Sequence, residues 1–264
     1  MTRLCFAGVT GWTAPPIITA LDQAEDLELV SGVSRSAAGR EISAVTASSN
    51  DSMIYSSVSE AVAAGEVDVL LDFTSALAVM GNVRAAIDAG VHVVIGSSGL
   101  TASDYELLDR LARERSVGIL AIGNFSIMAA ILHRAAEMAA PYVDSWEIID
   151  YASAEKPDVP SGTSRELAER LAKVRRPAAP VAIHDLHGPV EARGAEVSGS
   201  RIHSIRLPSF VVSTEIVFAS PGDRLTMRHD PGQTPDPYVP GVLAAVRAVA
   251  EAPGLRRGMD SILR

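Results

Sequence analysis

Cysteine occurs once in the 264 residues, as Cys5, so no disulfide can form within the chain and a cysteine-based zinc site is excluded. Clusters of basic residues are missing too: 23 Lys and Arg face 32 Asp and Glu, for a net charge of −9. That balance argues against nucleic-acid or anionic-membrane partners, although one local basic pocket is compatible with it. No apolar run reaches the about eighteen residues that a membrane-spanning helix needs. The opening MTRLCFAGVTGWTAPP has neither the apolar core nor the cleavage pattern of an export signal. Together with the single thiol, this predicts a reduced, cytoplasmic protein. Fixed-period repeats and low-complexity tracts are also lacking. With 47% hydrophobic residues, the chain has ample apolar material for one large domain or two smaller ones.

The first half alternates short apolar runs with amphipathic segments. LCFAGV (4–9), LELVSGV (27–33), VDVLLDF (67–73), VHVVIGSSG (91–99) and VGILAIGN (117–124) read as strands, with helical patterns between them. Continuous apolar strands separated by helices imply a parallel sheet covered on both faces. The second half has another texture. DSWEIIDYA (144–152) reads as a strand, SRELAERLAKV (164–174) as a helix, and 176–200 as a long loop. Three consecutive strand-like runs follow, then a terminal helix over 241–251. The sequence therefore predicts an α/β fold: a Rossmann-type parallel-sheet domain (1–126), an α+β substrate-binding and oligomerisation domain with an open mixed sheet (127–236), and a C-terminal segment (237–264) packing back on the first domain.

In such sheets ligands sit beyond the carboxyl ends of the strands. Gly8, Thr10, Gly11 and Trp12 occupy the first strand-to-helix turn, with spacing G-x-x-G-x-x-A. Small residues there let a pyrophosphate approach backbone N–H groups at the helix start. An ordinary strand-to-helix turn would look much the same, so the turn alone is weak evidence. The second strand ends in Ser34-Arg35-Ser36, where an NAD-binding domain usually places an acid. A guanidinium and hydroxyls suit a 2′-phosphate, which points to NADPH, with NADH as the alternative. An arginine merely solvated at the surface is the competing reading.

DYASAEKPDVPSGTS (150–164) holds the second candidate site. Thr163 and Glu166 have the spacing of a capping box, predicting a helix that begins near Thr163. Ser161, Gly162 and Thr163 would then turn amides and hydroxyls toward an anion, with a carboxylate the natural guest. Lys156 adds a cation able to pair with that carboxylate or deliver a proton. A plain capped helix explains the same residues.

The segment EIIDYASAEKPDVPSGTS resembles the substrate motif of the 4-hydroxy-tetrahydrodipicolinate (dihydrodipicolinate) reductases of lysine and diaminopimelate biosynthesis, E-[IV]-I-E-x-H-H-x-x-K-x-D-A-P-S-G-T-A. VDVLLDFTSALAVMGNVRAAIDAGVHVVIGSSGLT, IGNFSIMA, IHSIRL and STEIVFASPGDRLTMRHD extend the similarity in order along essentially the whole chain. The resemblance implies a catalytic lysine at Lys156, a carboxylate-holding pair at Gly162 and Thr163, and a cofactor turn at Phe73 and Thr74. It implies a nicotinamide loop at Gly96 and Ser98, a hinge at Asn124 and Phe125, a small carboxylate substrate and a homotetramer; no metal is expected, because His184 and His187 of HDLHG have no clear third ligand. The implied chemistry is hydride transfer to a cyclic imine or enamine, with an acid protonating the adjacent carbon.

Departures from the motif stand beside these matches. Ala152 and Ser153 occupy the places of its two histidines, and Trp12 replaces the basic residue of the first glycine turn. Of the remaining histidines in the second half, His203 in RIHSIRL is the one expected to face the substrate. Losing donors on the substrate side while keeping the cofactor turn raises two alternatives: reduction of a different imine or C=C bond in specialised metabolism, or a catalytically silent nucleotide-binding homologue.

Overall fold

Apolar side chains on alternating strands and helices build two units, each with its own sheet. The computed structural model describes residues 1–263. One unit comprises residues 1–126 together with the chain from Pro235 onward, and the other is Ile127–Thr234. No helix among the described residues is long and apolar enough to cross a membrane.

The first unit runs β1 (Thr2–Ala7), α1 (Ala14–Asp22), β2 (Leu27–Val33), β3 (Ile54–Tyr55), α2 (Val58–Ala64), β4 (Val69–Asp72), α3 (Val79–Asp88), β5 (His92–Ile95), α4 (Ala102–Glu114) and β6 (Gly118–Ala121). The second is α5 (Ile127–Ala139), β7 (Ser145–Ala152), α6 (Gly162–Val174), β8 (Ala195–Val197), β9 (Ser200–Arg206), β10 (Val212–Ser220) and β11 (Asp223–His229). The chain then returns to the first unit as α7 (Val239–Ala248) and β12 (Gly254–Arg257).

The first sheet has seven parallel strands in the order β12-β6-β5-β4-β1-β2-β3. Strand order reverses between β1 and β4, so the crevice that suits a dinucleotide opens at their carboxyl ends. Leu70, Val93 and Ile119 on adjacent strands are buried, and Val83 and Ile87 of α3 pack with them. Such strands are closed to water on both faces, which explains their unbroken apolar sequences. The second sheet, β11-β10-β7-β9-β8, is mixed: β7 pairs parallel with β9, and the other contacts are antiparallel. Trp146, Ile148, Ile216 and Phe218 line one face, beneath Leu167 and Leu171 of α6.

Expectation and structure differ mainly in short elements. The stretch read as loop over 176–200 contains β8, which is too short and polar to show a period-two pattern. β3 has only two residues, and β12 is the polar edge segment GLRR, so neither produces a strand-like apolar run.

Close approach fixes one residue type in the first sheet. A Cβ on Gly118 of β6 would lie 1.9 Å from the Val249 carbonyl oxygen and 2.8 Å from that of Ala252. Gly118→Ala must push this segment off the sheet. We expect a loss of about 1–3 kcal/mol in urea unfolding, with an unchanged denaturant slope.

Candidate active site

The candidate cofactor residues lie at the carboxyl ends of β1, β2, β4, β5 and β6. Gly8 follows β1 with φ at +91°, and a Cβ there would sit 2.2 Å from the Phe73 carbonyl oxygen. Only glycine allows the β1 and β4 turns to approach so closely. The Gly11 amide donates to the Gly8 carbonyl at 2.8 Å, closing the turn before α1. Pro15 and Pro16 occupy the first turn of α1 and have no N–H to give. Donors for an anion therefore have to come from the preceding turn. At the neighbouring strand end, Thr10 Oγ1 lies 3.0 Å from Ser34 Oγ, which lies 3.3 Å from Ser36 Oγ. Arg35 and Trp12 are exposed beside these hydroxyls in sequence, while the Arg40 guanidinium is already bonded to the Ala44 carbonyl at 2.7 Å.

A fully buried carboxylate, Asp72, organises the next two turns. It accepts from the Thr74 hydroxyl at 2.8 Å, from Asn82 Nδ2 at 2.8 Å and from the Ser97 hydroxyl. The Thr74 amide donates in turn to Ser97 Oγ at 2.7 Å. Phe73 and Thr74 are thereby tied to the Gly96–Gly99 loop. Gly96 is required because the Phe73 ring covers it, with an added Cβ only 2.4 Å from a ring atom. The same ring packs 5.1 Å from Phe125, and Asn124 Oδ1 accepts from the Ser126 amide at 2.9 Å. Ser97 makes the clamp, whereas Ser98 is exposed.

In the second unit, the Lys156 loop connects β7 to α6. Lys156 Nζ pairs with Asp158 Oδ1 at 2.8 Å, each side chain being 30% exposed. The helix starts at Gly162 and its N-cap is Ser161, whose hydroxyl accepts from the Ser164 amide at 3.4 Å. The helix thus begins near Thr163 as expected, but its cap differs: the Ser161–Ser164 pair lies two residues ahead of the Thr163–Glu166 spacing. Gly162 has open space around it, and Thr163 is buried. Beneath the helix tip lies Asp150, fully buried. It accepts from the Ser161 amide at 3.0 Å, the Ser164 hydroxyl at 3.1 Å, the Ser204 hydroxyl at 3.0 Å and Arg206 Nη2 at 2.8 Å. Burial alone would push the Asp150 carboxyl up, but donors from Ser161, Arg206 and Ser204 outweigh it and hold it below the usual carboxylate range.

His203 does not join this cluster. It pairs with Ile149 in register, one residue off from the Asp150–Ser204 pair, so its side chain points to the opposite face of the sheet. There its Nε2 lies 2.7 Å from Glu147 Oε2, and Arg193 holds the same carboxylate. The expectation that His203 faces the substrate is corrected by this alternation, which the motif alone does not reveal. His229 instead shares the Asp150 row, opposite Thr214, which is itself opposite Asp150. Burial depresses the His229 pKa, with Asp230 opposing, which favours a neutral ring. Sequence reasoning also passed over Asp72, Asp150 and Arg206. For Asp72 and Asp150 the only signal is an acid at an inward position of a strand, and Arg206, on the largely polar β9, gives none.

Comparisons with known proteins agree in both units. The family described as "Dihydrodipicolinate reductase, N-terminus" matches residues 2–125, and "Dihydrodipicolinate reductase, C-terminus" matches residues 125–263. The 4-hydroxy-tetrahydrodipicolinate reductase of Mycobacterium marinum is 35% identical over 262 residues, covering 99% of this chain and 98% of its own. That of Synechococcus elongatus is 37% identical over 268 residues, with 97% and 96% covered. Dipicolinate-bound dihydrodipicolinate reductase from Paenisporosarcina sp. TG-14 superposes with a TM-score of 0.79 at 28% identity, covering 100% of both chains. An amine dehydrogenase from Mycobacterium smegmatis, at TM-score 0.69 and 13% identity, shares the fold. With both halves matched and relatives above 30% identity along nearly all of its length, the chain belongs to the dihydrodipicolinate reductase family.

Proposed function

We propose that this chain is a nicotinamide-dependent reductase of a cyclic imine or enamine carboxylate, acting on 4-hydroxy-tetrahydrodipicolinate in lysine and diaminopimelate biosynthesis. The observation that carries this reading is the family match across both units, with the Lys156 loop and the α6 tip retained. Fit to the cofactor rests on the chain's own shape. The Gly8 backbone lies too close to Phe73 for any side chain at the strand-order reversal, and Asp72 ties the β4 turn to the β5 turn beside it. When bound, a reduced nicotinamide supplies the hydride.

The chain's residues do the rest. Gly8, Thr10, Gly11 and Trp12 are proposed to receive the pyrophosphate, and Phe73, Thr74, Gly96, Ser98, Asn124 and Phe125 to frame the nicotinamide end. In the second unit, Ser161, Gly162 and Thr163 are proposed to bind a substrate carboxylate, since amides at a helix start attract anions. Lys156 pairs with that carboxylate or gives a proton to the carbon next to the reduced centre; its Asp158 partner keeps the ammonium group at the loop.

NADPH is the proposed cofactor, because three linked hydroxyls and Arg35 stand at the end of β2, where no carboxylate would repel a 2′-phosphate. The assembly is proposed to be a homotetramer formed through the sheet face opposite α5 and α6, where Ile149, Val217 and Ala219 are only half-buried.

A second reading is favoured by one observation. Ala152 is fully buried, and the neighbouring Ser153 hydroxyl accepts from the Glu155 amide, so no imidazole serves the loop where the family motif has two. A cyclic imine with a single carboxylate would need fewer donors.

Three measurements test these proposals. Lys156→Ala should lower kcat/KM for the imine about a hundredfold while leaving NADPH binding unchanged, and full activity in that variant would refute the assigned role. Arg35→Ala should raise the KM for NADPH about tenfold and leave that for NADH nearly constant, since charge-assisted bonds to phosphate are worth about 1.5–3 kcal/mol; a wild-type preference for NADH defeats the assignment. Competition between enzymatically generated dihydrodipicolinate and a monocarboxylate cyclic imine distinguishes the two substrates, with higher kcat/KM for the former expected.

A further inference from the structure

The Lys156 loop leaves β7 at Ala152 and reaches α6 at Ser161. A flexible lysine and a helix tip are useful anchors for a small anion only if the loop that presents them is held still. Few backbone bonds do this. The Ser153 amide reaches the Val211 carbonyl at 3.4 Å, and the Lys156 amide closes a local turn onto Ser153 at 3.0 Å.

Beside the Lys156–Asp158 pair and a 3.4 Å bond from Arg165 Nη2 to the Pro160 carbonyl, a second ion pair restrains the loop from the sheet. Arg206, at the end of β9, is 15% exposed and Asp150 is wholly buried. Arg206 Nη2 donates to Asp150 Oδ2 at 2.8 Å and to the Asp158 carbonyl at 2.7 Å. Its Nη1 donates to the Ile205 carbonyl at 3.0 Å. Asp150 in turn accepts from the Ser161 amide and the Ser164 hydroxyl. The guanidinium thus holds the loop at Asp158, two residues from Lys156, and the carboxylate holds the helix tip.

We propose that Arg206 and Asp150 are positioning residues that fix the spacing between Lys156 and the amides of Gly162 and Thr163, and through it the affinity for the substrate carboxylate. This rests on the reading of Lys156 and the α6 tip as the carboxylate anchor. Nη2 serves Asp150 and Asp158 while Nη1 serves the Ile205 carbonyl, and a lysine, whose donors all sit on one nitrogen, cannot span these partners, so it is not a conservative substitute for Arg206. Ser204, which gives Asp150 one further bond at 3.0 Å, belongs to the same device with a smaller share.

Hydrogen exchange on the free full-length protein, combined with steady-state kinetics, tests this. In Arg206→Lys and Arg206→Gln, amides of 153–163 should exchange faster while those of 167–171 keep wild-type protection. The KM for the imine should rise about tenfold with the KM for NADPH within about twofold of wild type. Unchanged exchange over 153–163 overturns the proposal, as does parallel loss of imine and NADPH binding. Should the Arg206 variants fail to fold, Ser204→Ala carries the test: a smaller change in the same segment supports the role, and wild-type exchange with wild-type KM refutes it. If the wild-type protein turns over no imine at all, the proposed function fails, and the exchange data still decide whether this pair holds the loop.

Discussion

A carboxylate removed from water is tolerated only when donors satisfy its oxygens, and each unit of this protein is organised around one that meets this condition. Asp72 and Asp150 are both fully buried, both lie at or near the carboxyl end of a central strand, and both accept hydroxyl and backbone N–H groups from the turns above. The bonds run from loop to strand, so each aspartate acts as a peg to which the connecting turns are tied. The two differ in their cations. Asp150 is matched by Arg206, whereas Asp72 takes its bonds from Thr74, Ser97 and Asn82. Removing either carboxylate would leave several donors without an acceptor in a dry interior, which costs more than any one of the bonds contributes.

The sequence shows the scaffold more clearly than the pegs. The predominantly apolar runs at 4–9, 67–73 and 117–124 carry β1, β4 and β6 because a strand covered on both faces has no reason to alternate. Glycines and small residues mark where the turns must close, and Gly8 bears this out at a position with no room for a side chain. The cap of α6 is misjudged by two residues because Ser161 and Thr163 are both good caps. Local spacing cannot decide between them, whereas the Asp150 bond to the Ser161 amide does. His203 is misjudged for a related reason. A motif conveys order along the chain, but the face on which a strand residue stands depends on its register with β7. Sheet alternation converts one residue of difference into opposite sides of a layer.

The missing histidines take on a physical meaning here. Ala152 closes the buried end of β7, and Ser153 begins the loop with its hydroxyl engaged locally. Neither position brings a titratable group. Lys156, one of two lysines in the chain beside Lys173, is the cation that remains within the loop itself.

The second unit is inserted within the first, since residues 127–234 are contiguous whereas the host sheet draws its edge strand β12 from chain that follows the insert. During synthesis the insert can therefore complete all five of its strands while the outer edge of β6 still has no neighbour. An unpaired apolar edge is the part of a nascent α/β sheet most prone to joining another chain. A chain ending before Gly254 thus has every strand of its second sheet and none to cover the β6 edge of its first.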